Sequence, residues 1–334
     1  MYYDVVIAGC GVAGLYTALR LGRDKKILML SKEDLESCDS MLAQGGICVL
    51  HDENDYDSYF EDTMRAGHYE NRKESVDLMI RGSRAIIDDL LSLGVRFAKN
   101  PDGTLAYTRE GAHSRPRILF HEDVTGKEIT SKLLAQVKKL ANVEIYEYTT
   151  MTDIIVEDGI CKGIYAKDQN GQELEIYADN TIWASGGIGG RYQHSTNFPH
   201  LTGDALDISK KHGIRLEHLD YVQIHPTTLY SSKPGRRFLI SESVRGEGAV
   251  LYNKDGERFV NELLPRDVVT KAIREQMEKD GTDHVWLSME RIDKDTILNH
   301  FPNIYHHCLE EGYDVTKECI PVVPAQHYFM GGVW

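Results

Sequence analysis

Apolar positions near the start of the chain predict a strand, a helix and a second strand. Asp4–Ala8 and Ile27–Leu30 are short apolar runs, and Gly11–Leu21 between them has apolar residues at helical spacing. A strand–helix–strand succession of about 30 residues predicts two parallel strands joined by a right-handed crossover. The chain therefore begins as an α/β protein.

The same patterns predict further elements up to residue 148. Amphipathic helices are predicted over Glu74–Leu93 and Thr125–Leu140, and a strand over Val143–Tyr148. Between the first unit and these helices, residues 37–69 are rich in Gly, Asp and Ser. We predict that this segment is mostly loop.

Two dipeptides after residue 150 predict an antiparallel meander. Asp158-Gly159 and Asn170-Gly171 favour hairpin turns, because Asn, Asp and Gly tolerate a positive φ. They separate three β-like stretches, Thr150–Val156, Ile160–Ala166 and Glu173–Tyr177. Another buried strand is predicted over Asn180–Ala184. From about Leu219, basic and Gly-rich loops alternate with short elements, so we predict a second, α+β domain there.

Composition limits the partners of the protein. The formal net charge is −14, which argues against nucleic acid and means that an anionic substrate needs a local cationic pocket. No apolar run reaches about 18 residues, so we expect no membrane span. The N-terminus lacks a basic leader and does not resemble a secretory signal. Six scattered cysteines without a C-x-x-C pair favour the cytoplasm, and no metal site is predicted.

The first strand is followed by a dinucleotide-binding motif. Gly9-Cys10-Gly11-Val12-Ala13-Gly14 matches G-x-G-x-x-G between a strand and a helix, which is the context that this motif requires. Its glycines allow a tight turn, and the helix N-terminus attracts a pyrophosphate. After the second strand, Ser31-Lys32 stands where an acidic ribose ligand is usual, which disfavours NAD more than a flavin. A fortuitous Gly-rich turn is the alternative.

Several motifs together resemble the succinate dehydrogenase/fumarate reductase flavoprotein class, over essentially the whole chain. Besides the start, they are Ala43-Gln44-Gly45-Gly46, Ala184-Ser185-Gly186-Gly187, Thr202-Gly203-Asp204, His225-Pro226-Thr227, Arg245-Gly246-Glu247-Gly248 and Arg266-Asp267-Val268-Val269. Within the class, three stretches resemble the L-aspartate oxidase family: 108–126, from Thr-Arg-Glu-Gly-Ala-His-Ser onward, 223–230 and 324–333.

The resemblance implies an FAD-binding domain with a parallel sheet over residues 1–218, a capping domain over 219–328, and a return to the first domain from 329. The implied FAD is non-covalent, because Asp39 stands where succinate dehydrogenases carry the linking His. The implied cofactor-binding residues are Gly9, Cys10, Gly11, Val12, Ala13, Gly14, Lys32, Asp39, Ser40, Met41, Leu42, Ala43, Gln44, Gly45, Gly46 and Asp204.

The resemblance also implies a substrate site for a dicarboxylate. Gln223, His225, Ser241, Glu242 and His327 would contact the substrate carboxylates. Arg266 corresponds to the proton-shuttling arginine, and Glu110 to the acid that meets the substrate ammonium. Each of these residues also has a purely structural alternative. His225 would be a hydrogen-bonded core histidine, Arg266 would form an ion pair at the start of a helix, and Glu110 would pair with a neighbouring arginine.

The implied reaction is oxidation of L-aspartate to iminosuccinate, with oxygen or fumarate as electron acceptor. It is the first step of quinolinate and NAD synthesis, which implies handover of the product to a quinolinate synthase. The alternatives are a soluble fumarate reductase and a non-enzymatic flavin-fold fragment. The chain ends at Trp334, before the return segment and helical bundle that the resemblance implies. We therefore expect a truncated chain that binds FAD weakly and is inactive.

Overall fold

The computed structural model describes residues 1–334, and their contacts divide the chain into two compact units. Unit 1 contains Met1–Leu42, Ile129–Gln223 and Gln326–Trp334, and unit 2 contains Ala43–Glu128 and Ile224–Ala325. This division groups residues 43–128 with 224–325, whereas residues 43–128 were predicted to belong to the first domain and 224–325 to the second. The functional assignment of the two predicted domains stays a prediction.

The elements alternate along the chain as an α/β protein requires. In order they are β1 (Tyr2–Ala8), α1 (Val12–Arg20), β2 (Ile27–Leu30), α2 (Asp39–Leu42), β3 (Ile47–Cys48), α3 (Tyr56–Ala66), α4 (Lys73–Ser92), β4 (Ile118–Leu119), α5 (Thr125–Val137), β5 (Val143–Tyr146), β6 (Thr150–Glu157), β7 (Ile160–Lys167), β8 (Glu173–Trp183), α6 (Asp204–Lys211), β9 (Leu216–Glu217), β10 (Val222–Leu229), α7 (Glu242–Gly246), β11 (Val250–Tyr252), α8 (Arg266–Asp280), β12 (Val285–Ser288), α9 (Lys294–His300), α10 (Pro302–Glu310), β13 (Ile320–Phe329) and β14 (Gly332–Val333).

A six-stranded sheet organises unit 1, in the order β5-β2-β1-β8-β7-β6. The first four strands are parallel, as predicted, and β8, β7 and β6 form the predicted antiparallel meander. Strand β2 is at most 2% exposed at every residue, which explains its uninterrupted apolar sequence. Each such buried aliphatic side chain contributes about 1.5–3 kcal/mol to the stability of the unit.

Two details of unit 1 differ from the prediction. The strands expected over Glu173–Tyr177 and Asn180–Ala184 are one strand, β8, which pairs antiparallel with β7 and then parallel with β1. One continuous strand thus joins the meander to the parallel sheet. Asp158 and Gly159 both have positive φ (51° and 75°), as their predicted turn requires. At the second turn only Gly171 has a positive φ, within a longer loop.

In unit 2, the prediction that residues 37–69 are mostly loop is wrong. A 3-10 turn and helix α3 occupy residues 53–66. Tyr59 and Met64 of α3 pack on Val76 and Ile80 of α4 in a small apolar cluster. The Asp-rich composition concealed this helix, because its exposed residues are mostly polar and its buried face itself contains a carboxylate, Asp62, beside Tyr59 and Met64.

The remaining elements of unit 2 surround a four-stranded sheet in the order β10-β13-β12-β11. Its core combines sheet residues such as Leu287 with helix residues such as Val269, Ile273 and Phe301, all fully buried. The two chain segments of unit 2 are joined by Asp123, which accepts hydrogen bonds from the amides of Asn303 (3.0 Å) and Ile304 (2.6 Å) at the start of α10. None of the ten helices combines the length and apolar character needed to cross a bilayer.

Candidate functional site

The Gly-rich loop of unit 1 turns sharply between β1 and α1. Gly9 has a φ of +121°, and a Cβ there would lie 2.1 Å from the Ala184 carbonyl oxygen at the end of β8. A Cβ on Gly14 would lie 2.0 Å from the Gly9 oxygen. Both positions therefore exclude any side chain, because the atoms that would clash are backbone atoms. The motif is needed for this turn and for close packing of α1.

The N-terminus of α1 faces a cavity of about 650 Å³ in unit 1. Gly11 caps the helix without a side-chain hydrogen bond, and the Val12 amide donates to Ser40 Oγ at 3.0 Å. The positive end of a helix dipole with amide groups pointing outward suits a phosphate. The cavity is thus open at the place where the motif predicts an anionic group.

Two charged side chains from different chain segments, Lys32 and Asp204, line the same cavity. The Lys32 ammonium contacts the Asp204 carboxylate at 2.9 Å and the Thr202 hydroxyl at 2.8 Å. The Thr202 hydroxyl donates in turn to Asp204 at 2.7 Å. Lys32 is thereby fixed at the end of β2. Cys10, also in the lining, is buried, which raises the pKa of its thiol to about 12 and keeps it protonated at neutral pH.

The structure brings many of the predicted cofactor residues together at this cavity. Its lining includes Gly9, Cys10, Gly11, Val12, Ala13, Lys32, Asp39, Ser40 and Asp204. Gly14 packs behind Gly9, and Met41 and Leu42 lie in α2 outside the lining. The loop 43–46 belongs to unit 2.

Sequence reasoning missed Trp183, which also lines the cavity and has a buried indole nitrogen without a hydrogen-bond partner. Its position just before the Ala184-Ser185-Gly186-Gly187 motif was the available signal. A volume within the range of ligand pockets, a tight backbone turn at Gly9 that leaves no room for a Cβ, and an unsatisfied buried donor all fit a bound dinucleotide. The residues present therefore fit FAD.

Unit 2 holds a different kind of site, a buried cluster of charged side chains. Glu242, at the start of α7, receives a short hydrogen bond from Arg266 at the start of α8. The other oxygen of Glu242 lies 3.7 Å from Arg245, which is 1% exposed. Arg266, Glu242 and Arg245 thus form a chain of alternating charge. We call these residues, together with Glu110 and Ser243, the acid–arginine cluster.

Glu110 joins the cluster from a loop far away in sequence. Its Oε1 accepts a 2.6 Å hydrogen bond from the Ser243 hydroxyl of α7. Two glycines make room for this arrangement: a Cβ on Gly45 would lie 2.6 Å from Glu110 Oε1, and a Cβ on Gly111 would lie 2.2 Å from Glu242 Oε1. The loop 43–46, predicted to contact the flavin, therefore packs beside Glu110.

The two carboxyl groups of the cluster have opposite tendencies. Burial, together with the charge of Glu242, raises the pKa of Glu110 above its ordinary value. Burial would also raise the pKa of Glu242, but the charges of Arg266 and Arg245 and the hydrogen bond from Arg266 lower it overall. Pairs of titratable groups whose surroundings shift their pKa values in opposite directions are typical of acid–base sites.

Ser243 and Arg245 are the two cluster residues that sequence reasoning did not assign to the site, and Arg245 is the charged one. Its Nη1 donates to the Glu262 carbonyl oxygen at 2.6 Å, while its buried Nε and Nη2 have no hydrogen-bond partner. Burial lowers the pKa of its guanidinium. The Arg-Gly-Glu-Gly motif contained the available signal, and Gly246 explains part of it, because a Cβ there would meet the Arg109 carbonyl oxygen at 2.4 Å.

The other predicted substrate residues are distributed between the units. In unit 2, His225 is 1% exposed with Nδ1 3.2 Å from the Thr227 amide nitrogen, and Ser241 caps α7. In unit 1, Gln223 donates to the Tyr328 hydroxyl at 2.8 Å, and Nδ1 of His327 lies 2.7 Å from the Thr196 hydroxyl oxygen. Each predicted residue is therefore polar and held in place.

A second buried ion network stands beside the cluster. Arg117 is fully buried and makes a bidentate pair with Asp55 (2.8 and 2.9 Å) and a 2.7 Å contact with Asp62. It also lies 3.0 Å from Nδ1 of His113. Burial and the charge of Arg117 lower the pKa of His113, so this imidazole is neutral at pH 7. The network fixes the loop that carries Glu110.

Comparisons with known proteins give a consistent result. The FAD binding domain family model matches residues 4–334. An L-aspartate oxidase of Clostridium perfringens is 49% identical over 332 residues, which cover 99% of this chain and 75% of the relative. An L-aspartate oxidase of Clostridium acetobutylicum is 48% identical, with 99% of this chain and 76% of the relative covered.

Solved structures show the same fold. An E. coli quinol fumarate reductase superposes with a TM-score of 0.92 at 28% identity, covering 100% of this chain and 61% of that one. A flavocytochrome c3 fumarate reductase in an open conformation superposes with a TM-score of 0.73 at 22% identity, covering 99% of this chain and 68% of that one. The mixed α/β architecture predicted from the sequence is therefore confirmed.

Proposed function

Because the chain belongs to the L-aspartate oxidase family of FAD-dependent oxidoreductases, we propose that it oxidises L-aspartate to iminosuccinate with non-covalent FAD. The observation that supports this best is the acid–arginine cluster. An amino dicarboxylate carries two negative groups and one positive group. The cluster offers one buried arginine, Arg245, and one partly buried arginine, Arg266, beside a carboxyl group, Glu110, that is not paired with them in a short contact. Succinate and fumarate would leave Glu110 without a counterpart.

The residues of unit 1 would hold the cofactor. The Gly9–Ala13 turn and the α1 N-terminus would receive the pyrophosphate, with Lys32, Ser40 and Asp204 as polar neighbours. The loop 43–46 remains a proposed flavin contact. When bound, FAD supplies the two-electron acceptor that the oxidation requires.

The substrate would be bound and deprotonated by residues of the cluster. The Glu110 carboxylate would accept a hydrogen bond from the substrate ammonium. The positive charge of the ammonium would offset the cost of ionising Glu110 away from water. Arg266 is the proposed proton acceptor: its guanidinium would first release the Nε proton along the hydrogen bond to Glu242, and the neutral guanidine would then take the proton from the substrate. Arg245 on the far side of Glu242 stabilises the charged form of that carboxylate. Gln223, His225, Ser241 and His327 are proposed carboxylate contacts.

Two finer proposals concern cellular context. Iminosuccinate would pass to a quinolinate synthase, since that is the use of the product implied by the family resemblance. The six scattered cysteines, none in a C-x-x-C pair, support the cytoplasm as the compartment. Oxygen or fumarate would reoxidise the cofactor.

Changing Glu110 to Gln tests the proposed function. We expect kcat/KM for L-aspartate to fall about 100-fold, since a charge-assisted contact with the ammonium is lost. Reduction of fumarate should change less than about threefold, because fumarate has no ammonium. The control is Glu247→Gln, in the same region but bonded to Thr108. Wild-type protein that reduces fumarate but fails to oxidise L-aspartate would favour the fumarate reductase alternative.

A further inference from the structure

A pair of serine hydroxyls leads directly to Glu110. The Ser243 amide donates to Ser241 Oγ at 3.3 Å, and the two serine oxygens are also 3.3 Å apart. Ser243 Oγ then lies 2.6 Å from Glu110 Oε1. Because Ser241 Oγ already accepts an amide proton, its own hydrogen points to Ser243, and the Ser243 hydrogen points to Glu110. Both serines are buried, so water does not compete for these bonds.

Glu110 needs such a donor on this side. Gly45 packs against the same oxygen, Oε1, where a Cβ would lie 2.6 Å away, so no side chain at position 45 can hold the carboxylate. The charged groups that face Glu110 are Glu242 and Arg245 of α7 and Arg266 of α8. Glu242 opposes ionisation of Glu110, and the arginines are engaged with Glu242. The Ser243 hydroxyl is a neutral group that favours the ionised form.

We propose that Ser243 is a positioning residue that gives this site its preference for dicarboxylates bearing an amine. It holds one oxygen of Glu110 and thereby aims the other at the ammonium. The inference rests on the proposed function. Ligands without an ammonium, such as succinate, do not use Glu110, so their binding is independent of Ser243.

The test compares Ser243→Ala with wild type in the full chain loaded with FAD. We expect kcat/KM for L-aspartate to fall about tenfold, mainly through KM, because one hydrogen bond to a charged group is lost. Succinate binding, measured as inhibition, should change less than about twofold. The acidic limb of the kcat/KM profile for L-aspartate should move to higher pH, because loss of the Ser243 donor raises the pKa of Glu110. Ser243→Thr, which keeps the hydroxyl, should restore the wild-type profile.

Ser209→Ala is the matched control, since Ser209 is a fully buried serine in α6 whose hydroxyl has no hydrogen-bond partner. Equal losses for L-aspartate and succinate, or an acidic limb that stays in place, would overturn the role of Ser243. If Ser243→Ala does not fold, Ser243→Cys replaces it, because a thiol fits but donates weakly. A cysteine variant with wild-type selectivity would then overturn the proposal. Wild-type protein that is loaded with FAD and reduces fumarate but does not oxidise L-aspartate would instead overturn the proposed function.

Discussion

The cavity of unit 1 is shaped by backbone, whereas the cluster of unit 2 is built from charged side chains. In unit 1, Gly9 and Gly14 let the backbone turn, and the helix end supplies the positive potential. In unit 2, Glu110, Glu242, Arg245 and Arg266 supply both charges, and burial and charged neighbours shift the pKa values of Glu110, Glu242 and Arg245. A backbone site tolerates changes of side chain but no added Cβ. A side-chain site tolerates neither the loss of a charge nor a change in its protonation.

The largest effect is expected from Gly9→Ala. The added Cβ would meet the Ala184 oxygen at 2.1 Å, and alanine disfavours a φ of +121°. Overpacking and backbone strain together should lower the free energy of unfolding by roughly 4–6 kcal/mol and abolish FAD binding. The control is Gly213→Ala, with a φ of +66° and no atom within 4 Å, where about 1 kcal/mol is expected. If urea unfolding showed equal losses of stability for the two variants, the steric clash at Gly9 would not be the cause, and the expectation would be wrong.

The corresponding test in unit 2 is Arg117→Met. Removing the guanidinium leaves Asp55 and Asp62 buried without their partner, which should cost about 3–5 kcal/mol. Arg96→Ala is the control, because the Arg96 side chain is 73% exposed and its ion pair with Glu128 should contribute at most about 1 kcal/mol. Denaturant unfolding measures both. A loss at Arg117 no larger than at Arg96 would show that unit 2 does not depend on buried charge.

The dependence of unit 2 on ionisation should also be visible in its pH response. Burial raises the pKa of Asp123 to about 6, above the value of about 3.9 expected in the unfolded chain. The folded state therefore binds the proton more tightly, and this stabilisation, about 3 kcal/mol, is present below pH 4 and lost as pH rises through 6. Asp123→Asn should remove it.

The measurement is the difference in unfolding free energy between wild type and Asp123→Asn from pH 4 to pH 7. Asp88→Asn, an exposed change in α4, controls for the loss of one charge. We expect wild type to lose stability relative to Asp123→Asn as pH rises. A difference that stays constant over this range would contradict the expectation.

The smallest effect is expected from a side chain in the cavity of unit 1. Lys32→Met removes a partly exposed cation that contacts Asp204 and Thr202. We expect the Kd for FAD to rise about fivefold, less at high salt, because the pair is partly screened. Lys25→Met is the exposed control. If Lys32→Met weakened FAD binding as much as Gly9→Ala, the cavity would depend on charge as unit 2 does.

The contrast between the units explains what could be predicted from the sequence. The G-x-G-x-x-G turn, β1, α1 and β2 were predictable because the motif is local and two of its glycines, Gly9 and Gly14, pack against backbone within the same unit. The apolar run of β2 similarly records burial on both faces of a parallel strand. By contrast, helix α3 escaped prediction, because its burial depends on α4, which the local composition does not reveal.

The contacts within the acid–arginine cluster could not be predicted from the sequence alone. Family resemblance named Glu110, Glu242 and Arg266, yet their spacing along the chain does not bring them together. The tertiary structure decided that Ser243 bonds Glu110 and that Arg266 bonds Glu242, because these contacts join residues that are far apart in the chain. Adjacent residues determine local backbone geometry, whereas the protonation of a buried carboxyl group depends on all the groups that surround it in the folded protein.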